Sequence, residues 1–410
     1  MSRNQPEDGP FVGRQIRTIR ARRGITQQVL ADRVGLSRGA IAKFENGERP
    51  VDSRRTLYAL AAALGVRVAD LTGHPLDQAD PSAAAFHAAV GKIEAALWMA
   101  GDTTETAEAR SLGELAVAAR RAGETRLACD FVALGPMLAP LITDCYRHTR
   151  SAAEADRVRA WNILASAAFD TAIALRVRGY GALAWTAAQA IEQAAQNTGD
   201  TAGLAAAAFA RSQVLLSRPG SLSGALGCAE ATADKLQSAS SSRGELETYG
   251  MLHLQCALTA AALGKDAAGH FDEAEETADR LAEAASVGES MMRNPTFGPE
   301  NVILWRMSAA METRDPGRVL ELAPTIDPNA IEAPSRRAQY FVEIGRAHAL
   351  QRNYRESLYA LLRAEHVGPQ HVRGMIHVRE LVGHMMRTAR RDLTTGELGR
   401  LAQRVGVVPA

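Results

Sequence analysis

The chain has 410 residues, too many for one ordinary domain, and 46% of them are hydrophobic, enough to bury more than one core. Only 5% are aromatic, which together with abundant alanine favours closely packed helices over sheets. The net charge of +1 hides a division: residues 11–75 hold twelve Arg or Lys against five Asp or Glu, whereas residues 76–410 hold 34 against 39, so only the first part has the surplus of a phosphate-neutralising surface.

Cys129, Cys145, Cys228 and Cys256 are widely spaced and form no C-x-x-C pair, which argues against a zinc site and a disulfide framework and suits a reducing cytoplasm. The longest uncharged run, from Thr248 to Gly264, includes His253 and Gln255 and falls short of the roughly 18 apolar residues of a membrane span. It predicts a buried helix.

In chain order, residues 1–10 (MSRNQPEDGP) have no apolar core and read as a disordered tail, not a signal peptide. A helix is predicted from Phe11 to Arg23, with Val12, Ile16 and Ile19 on one face and Arg14, Arg17 and Arg22 outside. Thr26 can cap a second helix in which Leu30, Ala31 and Val34 share a side, and Gly35 permits a tight turn. Ser37 caps a third helix with Ile41 and Phe44 inward; Gly47 ends it and Pro50 prevents its resumption. That is a helix-turn-helix. A fourth helix follows from Ser53 to Leu64, and a short fifth from Val66 to Gly73.

The outward positions of the third helix are Ser37, Arg38, Gly39, Ala40 and Lys43. The N-terminal end of a recognition helix enters the major groove of duplex DNA, where an arginine can contact guanine O6 and N7 together, so Arg38 is the first candidate for reading a base. Lys43 can meet a base or a phosphate, and Gln27, at the start of the second helix, suits a phosphate. Arg49, Arg54 and Arg55 are candidate phosphate clamps. Over Phe11 to Gly73 these residues resemble the repressor/Cro-type helix-turn-helix, the xenobiotic-response-element family. The matching features are TQ at the start of the second helix, LA within it, G-L-S at the turn and F-E-N-G at the end of the third. The resemblance implies that Arg20 pairs with Glu45. Gly39 departs from the polar residue usual in that family, and a mid-helix glycine costs about 1 kcal/mol relative to alanine.

His74 to Pro81, HPLDQADP, carries two prolines and no helical period, so residues 74–81 read as a linker. Residues 82–410 show helix after helix. Their clearest unit is the 34 residues from Ala338 to His371, in which Phe341, Gly345, His348, Ser357, Leu361, Ala364 and Pro369 fall at positions 4, 8, 11, 20, 24, 27 and 32. These are the large, small and proline positions of the tetratricopeptide pattern. Turns near Gly179, Gly220, Gly264, Asp315 and Asn353 keep a helix-pair rhythm, and residues 288–301 form a long loop that can overhang a groove. One helix from Gln370 to Arg390 and another from Thr395 to Val405 are expected to cap the solenoid or pair with a second subunit.

The expected fold is therefore all-α: a five-helix helix-turn-helix domain over residues 11–73, then a tetratricopeptide-like α-solenoid. By resemblance, regulators of this construction often sense small secreted peptides, and Asn162, Gln213, Gln255, Asn301 and Arg306 are the candidates for gripping one. His371, His377 and His384, six and seven residues apart, do not converge as metal ligands need to. No catalytic motif stands out, and neither an enzyme nor a cofactor is expected. The expected partners are double-stranded DNA, a peptide, small molecule or partner protein, and a second copy of the chain. The competing expectation is an interaction scaffold whose head only tethers it to DNA or has lost DNA binding.

Overall fold

The computed structural model describes residues 11–51, 53–66, 68–72, 81–99, 109–150, 153–216, 221–237, 242–283 and 295–407. The expected tail lies outside them, as does all of the expected linker except Pro81. The architecture is all-α. Five helices form the head: α1 (Phe11–Arg22), α2 (Gln27–Val34), α3 (Arg38–Glu45), α4 (Arg54–Ala63) and α5 (Val68–Thr72). Their boundaries follow the local chemistry. Thr26 Oγ1 accepts from the Val29 N–H at 3.2 Å, Ser37 Oγ from the Ala40 N–H at 3.2 Å, and Gly35 takes the left-handed φ of 67° that closes α2. Val12, Ile16, Leu30, Ile41, Phe44, Leu60, Leu64 and Leu71 form the buried centre of this domain.

The larger region stacks antiparallel helices into a solenoid. Its first part comprises α6 (Pro81–Met99), α7 (Leu112–Leu127), α8 (Phe131–His148), α9 (Glu154–Val177), α10 (Gly181–Thr198), α11 (Thr201–Leu215) and α12 (Leu222–Leu236). It continues through α13 (Arg243–Leu263), α14 (Ala268–Glu283), α15 (Pro299–Glu312), α16 (Pro316–Leu322), α17 (Pro334–Leu350) and α18 (Tyr354–Val367). Then come α19 (Pro369–Arg373), α20 (Ile376–Thr388), α21 (Arg391–Thr394) and α22 (Glu397–Arg404). The tetratricopeptide spacing corresponds to α17 and α18, where small residues let the backbones approach. Ser357 Oγ donates to the Gly345 carbonyl at 2.7 Å, and a Cβ at Gly345 would stand 3.0 Å from the Leu361 side chain.

The single helix expected from Gln370 to Arg390 is two helices, α19 and α20, broken at Gly374 and Met375. The break lets α19 turn back onto the first repeats. Gln370 Oε1 accepts from the Val132 N–H at 3.1 Å, and its Nε2 donates to Asp130 at 3.0 Å, so the far end of the solenoid is sewn to α8. Of the expected long loop, residues 288–294 lie outside the described residues. Phe297, just before α15, is buried against Gly250 of α13. A Cβ at Gly250 would overlap that ring. Gly250→Ala should therefore expel Phe297 and destabilise the chain by about 1–3 kcal/mol in a denaturant melt; an unchanged midpoint would show that the ring has other room.

The head is docked on this solenoid. Glu380 Oε1 on α20 accepts from the Val12 N–H at 3.2 Å, while His384 Nδ1 and Arg387 Nη2 stand 3.3 and 3.5 Å from the Gly47 carbonyl oxygen. Pro50 and Val51 line a small apolar cleft with Met311, Leu350 and Leu381. On another side Tyr58 of α4 is buried in the core of the large region, and a Cβ at Gly264 would stand 2.7 Å from Arg55 Nη1.

Candidate nucleic-acid interface

Burial divides α3 lengthwise. Ile41 and Phe44 are 0% and 1% exposed, whereas Ser37, Arg38, Gly39 and Lys43 are exposed and Ala40 is half-buried. Ser37 spends its hydroxyl on the cap, so its role at a surface falls to the amides of the first turn. Arg38 overlooks an open cleft lined also by Arg20, Thr26, Gln27 and Gln28. Docking leaves this end clear, because the solenoid grips Gly47, beyond the opposite end of α3.

Beneath the cleft lies a buried carboxylate. Arg20 Nε and Nη2 donate to Glu45 Oε1 and Oε2 at 2.6 and 2.9 Å, a bidentate fork in which the Glu45 side chain is 0% exposed. The hydrogen bond to Glu45 holds the Arg20 pKa above its usual value. Arg20 Nη1 also donates to the Ile25 carbonyl at 2.8 Å, so one guanidinium ties α1 to the α2 entrance and the α3 terminus. Gln27 Nε2 donates to Glu45 Oε2 at 2.8 Å, which positions the Gln27 amide and leaves only part of it for a phosphate.

The flanking arginines differ from one another. Arg49 lies half-buried with its guanidinium 5.0 Å from the Phe44 ring centroid. Arg55, though exposed, reaches toward Gly264 of the solenoid. The Arg54 side chain lies outside the described residues. Sequence reasoning did not single out Asn46 or assign Arg17 a role, yet Arg17 Nη2 donates to Asn46 Oδ1 at 2.9 Å beside Glu45. The E-N-G tripeptide held that signal.

The five candidate ligand residues do not form one grip. Gln213 and Gln255 hydrogen-bond to each other inside the core between α11 and α13, and Gln255 is 0% exposed. Asn301 is buried with Nδ2 3.3 Å from the Met251 sulfur, and its Oδ1 has no partner among the described residues. Arg306 pairs with Glu275 at 2.9 Å over the Phe271 ring. Asn162 is half-buried on α9. His371 is on α19 while His377 and His384 are on α20, and no group of three or more His, Cys, Asp or Glu among the described residues could hold a metal ion.

This geometry defines a helix-turn-helix domain carried on a helical-repeat solenoid. Residues 12–72 match the family described as a helix-turn-helix domain. The immunity repressor protein of Bacillus phage phi105 is 42% identical over 62 residues, which cover 15% of this chain and 42% of the repressor. The chain thus spans less than half the length of that relative. Among solved structures, Bacillus thuringiensis PlcR, crystallised with the peptide PapR7 and DNA, is similar at 13% identity and a TM-score of 0.28, covering 84% of this chain and 99% of PlcR.

Proposed function

We propose that the protein is a sequence-specific DNA-binding regulator of transcription, acting as a homodimer in the cytoplasm, with residues 11–73 as the reading head, 74–81 as the linker and 82–410 as the sensor and dimerisation domain. The observation that carries this is Arg38, exposed at the N-terminal end of a helix whose other face is buried, within the one part of the chain that is strongly basic. Ser37, Gly39 and Ala40 would approach the groove beside it, Lys43 and Gln27 would meet phosphate or base, and Arg49, Arg54 and Arg55 would flank the backbone. One head reads few bases. Two heads on half-sites about one helical turn apart supply useful specificity.

The helical domain is proposed to sense a peptide, a small molecule or a partner protein, and to shift the arrangement of the heads by binding one arrangement more tightly than another. No reaction and no cofactor are assigned to it. Among the described residues no helix is long and apolar enough to cross a membrane.

The test is duplex selection followed by titration across salt concentration. The intact chain should bind a selected sequence with steep salt dependence. Arg38→Ala should weaken that binding by about 1–3 kcal/mol and erase preference at one position per half-site, whereas Lys43→Ala, if it meets phosphate, should weaken all sequences alike and lower the salt slope by about one. Unaltered base preference in Arg38→Ala would remove that residue from the readout. Absence of any duplex binding at low salt would reject the regulator.

A further inference from the structure

On α20, His377, Glu380, Leu381 and His384 follow one another at helical spacing on the side that meets the head. Between that side and the turn after α3 lies an apolar cleft. Pro50 and Val51 wall it from the head, and Met311 of α15, Leu350 of α17 and Leu381 wall it from the solenoid. Glu380 is set among these apolar side chains and is itself 5% exposed.

Only half of the Glu380 carboxyl is used. Oε1 accepts from the Val12 N–H at 3.2 Å, whereas Oε2 is sealed from solvent and has no hydrogen-bond partner among the described residues. A polar atom buried in this way costs about 1–3 kcal/mol. The charge, by contrast, is met, because Arg387, Arg14 and Arg379 all favour the ionised form. Arg346, at the margin of the cleft, donates to Glu343 at 2.6 Å, and His377 has an interaction of its own. What the site lacks is therefore a hydrogen-bonding group and not a counter-ion. With the head docked, the cleft has about 10 Å³ of open space, room for one water molecule. Its two walls belong to different domains, joined at this edge by the Glu380 bond and by the approaches of His384 and Arg387 to the Gly47 carbonyl. A small displacement of the turn from Gly47 to Val51 widens the cleft without disturbing either core.

We infer that this cleft is a binding site for an uncharged molecule carrying one hydroxyl on an apolar body about the size of a single ring, with the hydroxyl on Glu380 Oε2 and the body between Val51, Met311, Leu350 and Leu381. Apolar walls with one placed polar group at a domain boundary are the usual make-up of a small-molecule site. A hydroxyl suits the carboxyl in either form, since it donates to the carboxylate and accepts from the acid. An ammonium ion would have to leave water for a carboxylate whose charge is already met, and a second carboxylate would be repelled by the first. The site names a ligand class for the sensing role proposed above and rests on that role only for its consequence. A molecule seated between Glu380 and the turn after α3 binds the widened arrangement more tightly than the closed one, and so moves the head relative to α20.

The test uses the full chain without DNA, so that its failure and that of the regulator are separate results. The probes are para-fluorophenol and para-fluoroanisole, the same body without the donor, titrated by fluorine NMR at about pH 8.5, above the Glu380 pKa of about 7. The wild type should bind the phenol at millimolar concentration and the anisole about tenfold more weakly. In Glu380→Gln the amide oxygen keeps the Val12 N–H and the amide N–H faces the cleft, where it serves ether and hydroxyl oxygens alike, so the two affinities should converge. Leu350→Ala enlarges the cleft and should tighten both probes severalfold, a gain that a misfolded chain would not give. Val51→Phe fills the cleft and should lose both. Equal affinities of the two probes for the wild type, or undiminished binding in Val51→Phe, would overturn the site. So would an absence of binding to the wild type, which would leave the cleft as a place for water only.

Discussion

Replacing Arg20 by alanine is expected to unfold the head selectively, with a loss of about 3–5 kcal/mol in the opening free energy of core amides such as those of Leu30 and Ile41, read by hydrogen exchange on the intact chain. The Glu45 side chain is 0% exposed and that of Arg20 16%, so the ion that remains after the substitution cannot turn to water for compensation. Gln27 would still donate to it at 2.8 Å, but Arg17 stands 3.8 Å away with 52% of its own side chain exposed and supplies only a screened charge. Neutralising the carboxylate as well, in Arg20→Ala with Glu45→Leu, should recover much of the loss, because an apolar pair of similar volume often replaces a buried ion pair without penalty. Equal protection in wild type and Arg20→Ala would show that the fork contributes nothing. On the proposed DNA-binding function the pair has a second expected consequence. Glu45 orients Gln27, so Arg20→Ala should weaken duplex binding through a displaced Gln27 before the head unfolds.

What was legible in the sequence was mostly local. Thr26, Gly35 and Ser37 each act within one helical turn of themselves, so their residue types alone fix where α2 begins and ends and where α3 begins. The alternation of Gly345, Ser357 and Ala364 with Phe341 and Leu361 is likewise a property of two adjacent helices. Gln213 and Gln255 were hidden for the opposite reason. Polar residues on the first helices of pairs resemble a groove lining until the neighbouring repeat is placed, and here each satisfies the other inside the core. Nothing in the period of residues 370–390 announced the break at Gly374, because its apolar spacing continues through it. Arg178 and His371 lie 193 positions apart in the chain, and only the return of α19 to α8 brings them together.

The docking of the head is the least legible feature, and it carries the strongest expected response to pH. Glu380 is 5% exposed; burial raises its pKa from 4.5 to about 7, against the lowering effects of the Val12 N–H and of Arg387, Arg14 and Arg379. The sign follows from proton counting. Between about pH 4.5 and 7 the docked carboxyl holds a proton that the solvated one has released, so this group favours docking below that window and loses its contribution as pH rises through it. A shift of this size corresponds to a contribution on the order of 3 kcal/mol. His384, whose pKa is lowered by burial in spite of the Gly47 carbonyl, acts in the other direction: its contribution is present above the ordinary histidine value of 6.5 and is lost as pH falls below it. In Glu380→Gln the amide oxygen can still accept from Val12 while the ionisation is gone, so only the histidine slope should remain. Resonance energy transfer between labels on the head and on the outer face of α18, measured across this range, should show docking that weakens with rising pH in the wild type and strengthens with it in Glu380→Gln. Parallel pH profiles for the two proteins would mean that Glu380 titrates like a solvated carboxyl and that the head is held by its other contacts, at Gly47, the apolar cleft and Tyr58.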